Sequence, residues 1–367
     1  MSQKINVAIL FGGKSAEHEV SLQSAKNVIE AIDKNKFDVT LIGIDKNGRW
    51  YLNDASHFLL HGDDPKQIRM QHENKEVALV AGRTNKQLVE LSLGSADKAI
   101  DVVFPILHGP LGEDGTVQGL LKLANIPFVG AGVLGSAVGM DKDVMKRLLR
   151  DAGLPIGKFV TILATKRNAH TFAELTAYLG APLFIKPANM GSSVGVHRVE
   201  NDDQFQTALD DAFKYDTKVI IEEFIEGREI ECAVLGNDEP KASVPGEIIP
   251  HHQFYSYEAK YIDADGAGLQ IPAELPGELV AKIQEYAVAT FQTLICEGMA
   301  RVDFFLQKDG KIVINEINTI PGFTRISMYP KLWAASGIPY SQLIEKLIFL
   351  ALDRFDREKQ LQTDVGI

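Results

Sequence analysis

The sequence predicts an α/β fold that becomes α+β in its C-terminal part. Apolar strand-like runs alternate with amphipathic helical stretches over the first third, the pattern of a parallel sheet covered by helices. Further on, strand-like runs come in pairs around glycine-rich loops, and Asp309-Gly310 separates two more such runs as a hairpin turn would. A chain of 367 residues exceeds one ordinary core. Its pattern divides into units at 1–140, 141–217 and 218–367.

Within the first unit, Ile5 to Phe11 is a continuous apolar run, as expected of a strand buried on both faces. Ser21 opens a helical pattern through Val28, Ile29 and Ile32. Phe37 to Ile44 and Ile100 to Phe104 are the next strands, and Leu120 to Leu123 is helical. Residues 61–98 are more polar and carry no pattern that assigns elements. In the second unit, Val144 to Ala152 is helical and Phe159 to Leu163 is a strand. Leu183 to Lys186 and Val194 to Val199 are strands flanking the loop Pro187 to Ser193, a hairpin with a glycine-serine tip suited to a lid. Asp202 to Phe213 is a helix. The third unit opens with strands Val219 to Glu223 and Glu229 to Leu235. Pro250 to Asp265 has no clear period and reads as a long functional loop. Leu279 to Leu294 is helical, and a hairpin and a terminal helix, Ser341 to Arg354, follow.

The net charge of -11 argues against nucleic acid or an anionic membrane surface as partner. No stretch approaches the roughly 18–20 apolar residues of a membrane helix. The apolar run at the start is short, ends in Gly12-Gly13 and lacks a cleavage-like site, so it is not a secretory signal. A cytoplasmic protein is expected. Cys232 and Cys296 lie in apolar stretches and are expected as buried thiols.

The strongest chemistry legible in the residues alone lies between Arg301 and Asn318. Ala300 to Gln307 and Lys311 to Ile317 flank Asp309-Gly310. A two-residue turn there pairs Lys308 with Lys311, Asp303 with Glu316, and Arg301 with Asn318. Alternation puts those last four on one face, opposite Val302, Phe304, Leu306, Val313 and Ile317. Two carboxylate side chains whose Cβ atoms lie about 5 Å apart across a ladder repel unless a cation lies between them. Carboxylate and amide oxygens suit Mg²⁺ or Mn²⁺. Arg301 adds a fixed positive fork for phosphate or a developing oxyanion. A plain solvated hairpin face is the alternative.

Two glycine motifs point elsewhere and are set aside. Gly13-Lys14-Ser15 resembles the end of a P-loop, but the motif's first glycine would fall at Ala8, inside the strand. Gly130 to Gly135 fits a dinucleotide fingerprint, yet it lies late in the α/β unit and no second strand ending in an acid follows. It reads as a tight turn into a short helix. A dinucleotide-binding oxidoreductase stands as the rival from another class.

Ordered motifs across nearly the whole chain resemble the D-alanine–D-alanine ligases of the ATP-grasp superfamily. They are Phe11 to Ser21, His108-Gly109 with Gly112 to Gly115, Met140-Asp141-Lys142, Lys186-Pro187 with Gly191 to Gly195, Tyr255 to Tyr261, Arg301 to Asp303, Asn315 to Thr319 and Pro321 to Thr324. The resemblance implies an N-terminal substrate domain followed by a two-part ATP-grasp fold. It implies ligation of two D-alanines through an acyl phosphate, with release of ADP and phosphate, for peptidoglycan precursor synthesis. ATP and two Mg²⁺ (or Mn²⁺) are the implied cofactors, and a homodimer is the implied assembly.

By the same resemblance, Asp303, Glu316 and Asn318 hold the metals, and Glu316 bridges them. Lys142 and Lys186 reach the ATP phosphates. Glu222 and Glu229 contact adenine and ribose, Ser193 belongs to the phosphate lid, and Asn315 lies among the nucleotide residues. Glu17 holds the first substrate's ammonium, with His108 nearby. Arg301 and the Gly322 N–H face the tetrahedral oxyanion. Ser327 and the Met328 backbone take the second substrate's carboxylate. Lys260 approaches the transferred phosphate, and Tyr261 links to Glu17 and Ser192. Related ligases that make D-alanyl-D-lactate lack tyrosine there, so Tyr261 implies a dipeptide product. His18 is read as structural and Glu223 as a solvated acid. Arg325 and Ile326 carry no assigned role, and Met190 departs from the polar residue expected in the lid.

Overall fold

The computed structural model describes residues 4–54, 58–62, 64, 67–71, 75–83, 86–92, 96–250 and 267–362. Strand β1 (Ile5–Gly12) lies between β2 (Phe37–Ile44) and β9 (Val102–Ile106), both parallel to it. Strand β3 (Trp50–Asn53) closes the far edge antiparallel to β2. The apolar run of β1 is buried from Val7 onward, as a strand covered on both faces requires. Helix α1 (His18–Ala31) starts three residues before the expected Ser21. Ser21 lies inside it, donating to the Ile106 carbonyl and accepting from the Gly12 N–H, and so fastens the helix to the ends of two strands.

The stretch left unassigned by sequence holds strands of two or three residues, too short to show a period. These are β4 (Leu59–Leu60) with β5 (Arg69–Met70), and β6 (Val77–Leu79) with β7 (Leu88–Glu90) and β8 (Ala96–Lys98). Helices α2 (Thr116–Leu123) and α3 (Val133–Met140) complete the first unit. Helix α4 (Lys142–Asp151) opens the second, with Asp141 capping it by accepting from the Val144 N–H.

The second sheet is antiparallel, in the order β10 (Phe159–Leu163), β13 (Lys218–Glu223), β11 (Leu183–Pro187), β12 (His197–Val199). Strand β13 is thus an interior strand of the central sheet, not the opening of the third unit. Strand β12 starts at His197 rather than Val194, because Ser192, Ser193 and Gly195 all adopt positive φ. Helix α5 (Phe172–Leu179), unseen in the sequence reading, carries a capping box between Thr171 and Glu174. Helix α6 (Asp202–Ala212) packs on the same sheet.

The third sheet runs β17 (Ala267–Gln270), β16 (Gly246–Pro250), β14 (Arg228–Gly236), β18 (Gly298–Leu306), β19 (Ile312–Asn318), with β15 (Lys241–Ala242) beside β14. Helix α7 (Gly277–Thr293) covers one face. Helices α8 (Met328–Ala335) and α9 (Tyr340–Lys359) carry the chain back to the first unit. One apolar core spans that junction, from Phe11 and Phe104 to Phe323, Tyr329 and Leu347. The Phe104 and Phe323 rings meet edge-on at 5.7 Å. Arg354, buried on α9, donates to the Phe128 and Gly130 carbonyls at 2.7 and 2.5 Å. Among the described residues no helix is long and apolar enough to cross a membrane. Cys232 and Cys296 are buried free thiols, each pushed up to about 12 by burial.

Candidate active site

The hairpin brings Asp303 opposite Glu316 and Arg301 opposite Asn318, as the alternation predicts. It reaches that register by a different route. Gln307 pairs with Lys311, so the turn spans three residues, Lys308 to Gly310, with Gly310 at positive φ. The expected Lys308–Lys311 pairing is absent. A bulge between Asp303 and Phe304 on one side and Asn315 on the other restores the count. The bulge also turns Asn315 toward the site beside Glu316. The opposite, buried face consists of Val302, Phe304 and Leu306 with Ile312, Ile314 and Ile317. Val313 pairs with Phe305 and is not part of that face.

Strand β14 adds a residue that sequence reasoning missed. Glu231 pairs with Asp303, so Glu231, Asp303 and Glu316 form one line across three strands. Its two-residue spacing from Glu229 was the only local signal. Arg301 stabilises this row of like charges. Its Nε donates to Asp303 Oδ1 at 2.7 Å and lies 2.9 Å from Glu231 Oε2, and its Nη2 donates to Asp303 Oδ2 at 2.7 Å. Among the described residues no group of three His, Cys, Asp or Glu side chains is arranged to hold a metal. The donor set still fits a hard divalent cation. A carboxylate offers about four lone-pair sites, and the bidentate arginine uses two of those on Asp303. The Glu316 carboxylate and the Asn315 and Asn318 amides face the same space.

Ser192 Oγ donates to Glu17 Oε1. The lid therefore rests on the acid that follows β1. Glycines flank it, and Gly109 adopts positive φ. A Cβ on Gly191 would come within 3.2 Å of Glu17 Oε2, and one on Gly109 within 2.9 Å of the same oxygen. His108 is buried, with its ring bonded to the Ile320 backbone and 3.4 Å from Ser24 Oγ. Burial pushes its pKa down to about 4, so the ring is neutral. Glu113, part of the Gly112 to Gly115 motif but given no role there, accepts from the Gly109 N–H at 2.6 Å. Burial, then the nearby Glu17 charge, push it up to about 8.

On the nucleotide side, Lys142 Nζ donates to the Met190 carbonyl at 2.7 Å and lies 3.6 Å from Glu316 Oε2. Because Met190 contributes its backbone here, its unexpected side chain leaves this contact intact. Glu222 sits between Lys146 at 2.7 Å and Lys186 at 2.5 Å. The two lysines hold its carboxyl down at about 2 against the opposing effect of burial. Glu229 enters the same space from β14. Glu223, read as solvated, accepts from the Lys158 N–H at 2.7 Å.

Ser327 precedes α8 without capping it. Its Oγ accepts from the Thr324 N–H at 3.0 Å. A Cβ on Gly322 would stand 2.7 Å from that oxygen. The Met328 N–H belongs to the first turn of α8, where backbone donors await an anion. Ile326, given no role by sequence, lines the cavity, whereas Arg325 lies on the surface 3.4 Å from Glu30. Lys260 and Tyr261 lie outside the described residues.

Both rejected glycine motifs have structural duties. The Gly12 N–H is taken by Ser21 Oγ and the Gly13 N–H by the Ile44 carbonyl, which leaves neither amide for a phosphate. Gly135 and Gly139 let α3 approach closely: a Cβ would fall 2.6 Å from the Ile295 carbonyl and 2.9 Å from Thr319 Cγ2. His18 Nδ1 lies 2.8 Å from the Gly13 carbonyl, in keeping with its structural reading.

One cavity of about 490 Å³ joins these parts. Glu17, His108, Ser192, Gly322, Ser327 and Met328 all line it, together with the hairpin face, Lys142 and Glu229. Lys186 and Glu222 form the charged cluster beside it. A parallel-sheet domain leading into two antiparallel sheets that close on a carboxylate hairpin defines a ligase of the ATP-grasp class, which uses ATP and a divalent metal. Residues 6–131 match the family described as D-ala D-ala ligase N-terminus, and residues 148–349 match D-ala D-ala ligase C-terminus. The chain belongs to the D-alanine–D-alanine ligase family. It is 58% identical to the D-alanine–D-alanine ligase of Shouchella clausii over 99% of this chain and 98% of that one. It is 56% identical to D-alanine–D-alanine ligase A of Escherichia coli K12 over 98% and 99%. Among solved structures, the D-alanine–D-alanine ligase of Coxiella burnetii is similar with a TM-score of 0.82 at 38% identity, covering 98% and 97% of the two chains. The VanG D-Ala:D-Ser ligase of Enterococcus faecalis is similar at 0.83 and 41%, covering 95% and 100%.

Proposed function

We propose that this chain joins two D-alanines at the expense of ATP, in the cytoplasm, to supply a peptidoglycan precursor. The observation that supports the reading is one cavity lined by the acid Glu17, the start of α8 at Ser327–Met328, and the carboxylate hairpin with Arg301.

A carboxylate is a poor electrophile, so the first D-alanine takes the terminal phosphoryl group of ATP, giving an acyl phosphate and ADP. The second D-alanine's amine attacks the acyl carbon, loses a proton, and phosphate leaves as the C–N bond forms. Glu17, steadied by Ser192, orients the first ammonium. Arg301 and the Gly322 N–H face the oxygen on which charge develops. Lys142 and Lys186 oppose the charge of the ATP phosphates. Two Mg²⁺ or Mn²⁺ ions on Asp303, Glu316 and Asn318, when bound, neutralise the transferring phosphoryl group. Ser193, Glu222, Glu229 and Asn315 belong to the nucleotide side; the roles of Lys260 toward the phosphate and of Tyr261 toward Glu17 and Ser192 rest on the family resemblance, since both lie outside the described residues.

The three units correspond to a first-substrate domain, a lid-bearing subdomain and a metal-bearing subdomain, with the middle one extended through β13. A homodimer fits the exposed Leu123 and Leu134 on the adjoining helices α2 and α3.

Phosphate release from ATP tests the reading. It is expected to depend on D-alanine and not L-alanine, with D-alanyl-D-alanine as the product when D-alanine competes with D-serine and D-lactate. Release without D-alanine dependence refutes the ligase reading. A predominant D-serine product moves the chain's second site to the chemistry of the VanG neighbour, and a predominant ester overturns the dipeptide assignment.

A further inference from the structure

Lys146 has no part in the reaction as described, yet it is 2% exposed. A lone ammonium at that depth loses its hydration and tends to shed its proton. Here it is met by Glu222 Oε1 at 2.7 Å, while Glu222 Oε2 meets Lys186 at 2.5 Å. One carboxylate thus serves one lysine from a helix and one from a sheet. Lys146 lies one turn after Lys142 on the buried side of α4. Phe184 pairs with Glu222 across β11 and β13, which puts Lys186, two residues on, diagonally beside Glu222 on the same face.

The remaining charges are fixed from outside the cluster. Asp143 accepts from Thr161 Oγ1 at 2.8 Å, and Lys218 pairs with Asp141 and Asp143, tying α4 to the central sheet. Glu316 acts on both Lys146 and Lys186 from across the cavity. A buried carboxylate stripped of its last partner is strongly unfavourable.

We propose that Lys146 is a positioning residue for the nucleotide, holding Glu222 so that Lys186 can turn to the ATP phosphates without leaving a buried anion unpaired. This inference rests on the assignment of Lys186 to those phosphates. Without Lys146, Glu222 retains Lys186 as its only cation among the described residues, and ATP must compete for it. The residue therefore acts on nucleotide affinity through Glu222, not on the D-alanine sites.

The test compares Lys146→Met, Glu222→Gln, their combination and Lys186→Met. KM for ATP and for D-alanine, equilibrium ADP binding and the thermal midpoint are measured for each. Lys146→Met is expected to raise KM for ATP and weaken ADP binding by about tenfold or more, with KM for D-alanine within about twofold of wild type. The double variant is expected within about threefold of Glu222→Gln alone, because the carboxylate that pins Lys186 is gone. Unchanged nucleotide affinity in Lys146→Met overturns the proposal. So does a double variant about tenfold or more worse than Glu222→Gln, and this comparison decides should Lys146→Met fail to fold. If Lys186→Met leaves nucleotide affinity unchanged, the phosphate assignment beneath the inference fails instead.

Discussion

Ser192 Oγ donates to the carboxylate of Glu17 across a sequence separation of 175 residues. One partner sits in a lid between two strands of the central sheet, the other just past the first strand of the parallel sheet. This contact lets the position of the lid set the orientation of the acid assigned to the first substrate. It also explains why both neighbouring positions are glycine, since side chains at Gly109 or Gly191 would crowd the same carboxylate.

Removing the donor tests that coupling. A hydrogen bond to a charged acceptor contributes about 1.5–3 kcal/mol. Ser192→Ala should therefore raise KM for the first D-alanine about ten- to a hundredfold. Glu17→Gln in the same background should add much less than it does alone, because the two act as one unit. Initial-rate kinetics over both D-alanine sites check this, and independent, additive losses would refute it.

Gly322 and Ser327, in the same cavity, are matched sterically. A Cβ on Gly322 would lie 2.7 Å from Ser327 Oγ, so Gly322→Ala must displace the hydroxyl. KM for the second D-alanine should rise about tenfold or more, with KM for the first little changed. Gly322→Ala/Ser327→Ala should be no worse than Ser327→Ala alone, since the clash needs both groups. A double variant that sums the two losses would show that Gly322 acts by some other route.

How much of this site was legible before folding follows from what each residue depends on. Asp303 and Glu316 were placed opposite each other because strand alternation is local and periodic. The three-residue turn and the bulge at Asn315 were not, because an inserted backbone residue leaves no trace in alternation. They offset one another, so the register at the carboxylates came out right although the turn did not. Glu231 was lost inside an apolar run, and its place beside Asp303 comes only from long-range pairing of β14 with β18. Lys146 was invisible for the same reason, and Glu113, though inside the Gly112 to Gly115 motif, carried no sign of its role. Helix α5 was a true oversight: Thr171-x-x-Glu174 was there to be read.

The buried titratable pair near the first substrate gives opposite pH signatures. His108 is held at about 4 against 6.5 in an unfolded chain. Its contribution is present above about pH 6.5 and is lost as pH falls toward 4, amounting to about 3 kcal/mol. Glu113 is raised to about 8, chiefly by burial. Its contribution is present below about pH 4.5 and is lost as pH rises through 8. Denaturant unfolding from pH 4 to 8 should show this. The stability gap between wild type and His108→Asn should narrow toward pH 4, and that between wild type and Glu113→Gln should narrow toward pH 8. Parallel profiles for wild type and either variant would remove that residue from the account.

The carboxylate row across β14, β18 and β19 makes a prediction that separates metal binding from folding. Glu231, Asp303 and Glu316 are like charges in adjacent register positions, opposed in this structure by Arg301 and Lys142. Like charges directly across a ladder destabilise it. Replacing Glu316 by glutamine removes one of them and keeps the shape, so the metal-free variant should melt no lower than wild type. A ligand that binds only the folded state raises stability in proportion to its occupancy. Mg²⁺ or Mn²⁺ with ADP should therefore raise the wild-type thermal midpoint and raise that of Glu316→Gln much less. Turnover should fall by about a hundredfold or more, since charge neutralisation at the transferring phosphoryl group is the effect removed. Equal metal-induced shifts in both proteins, together with retained turnover, would move the metal away from this hairpin.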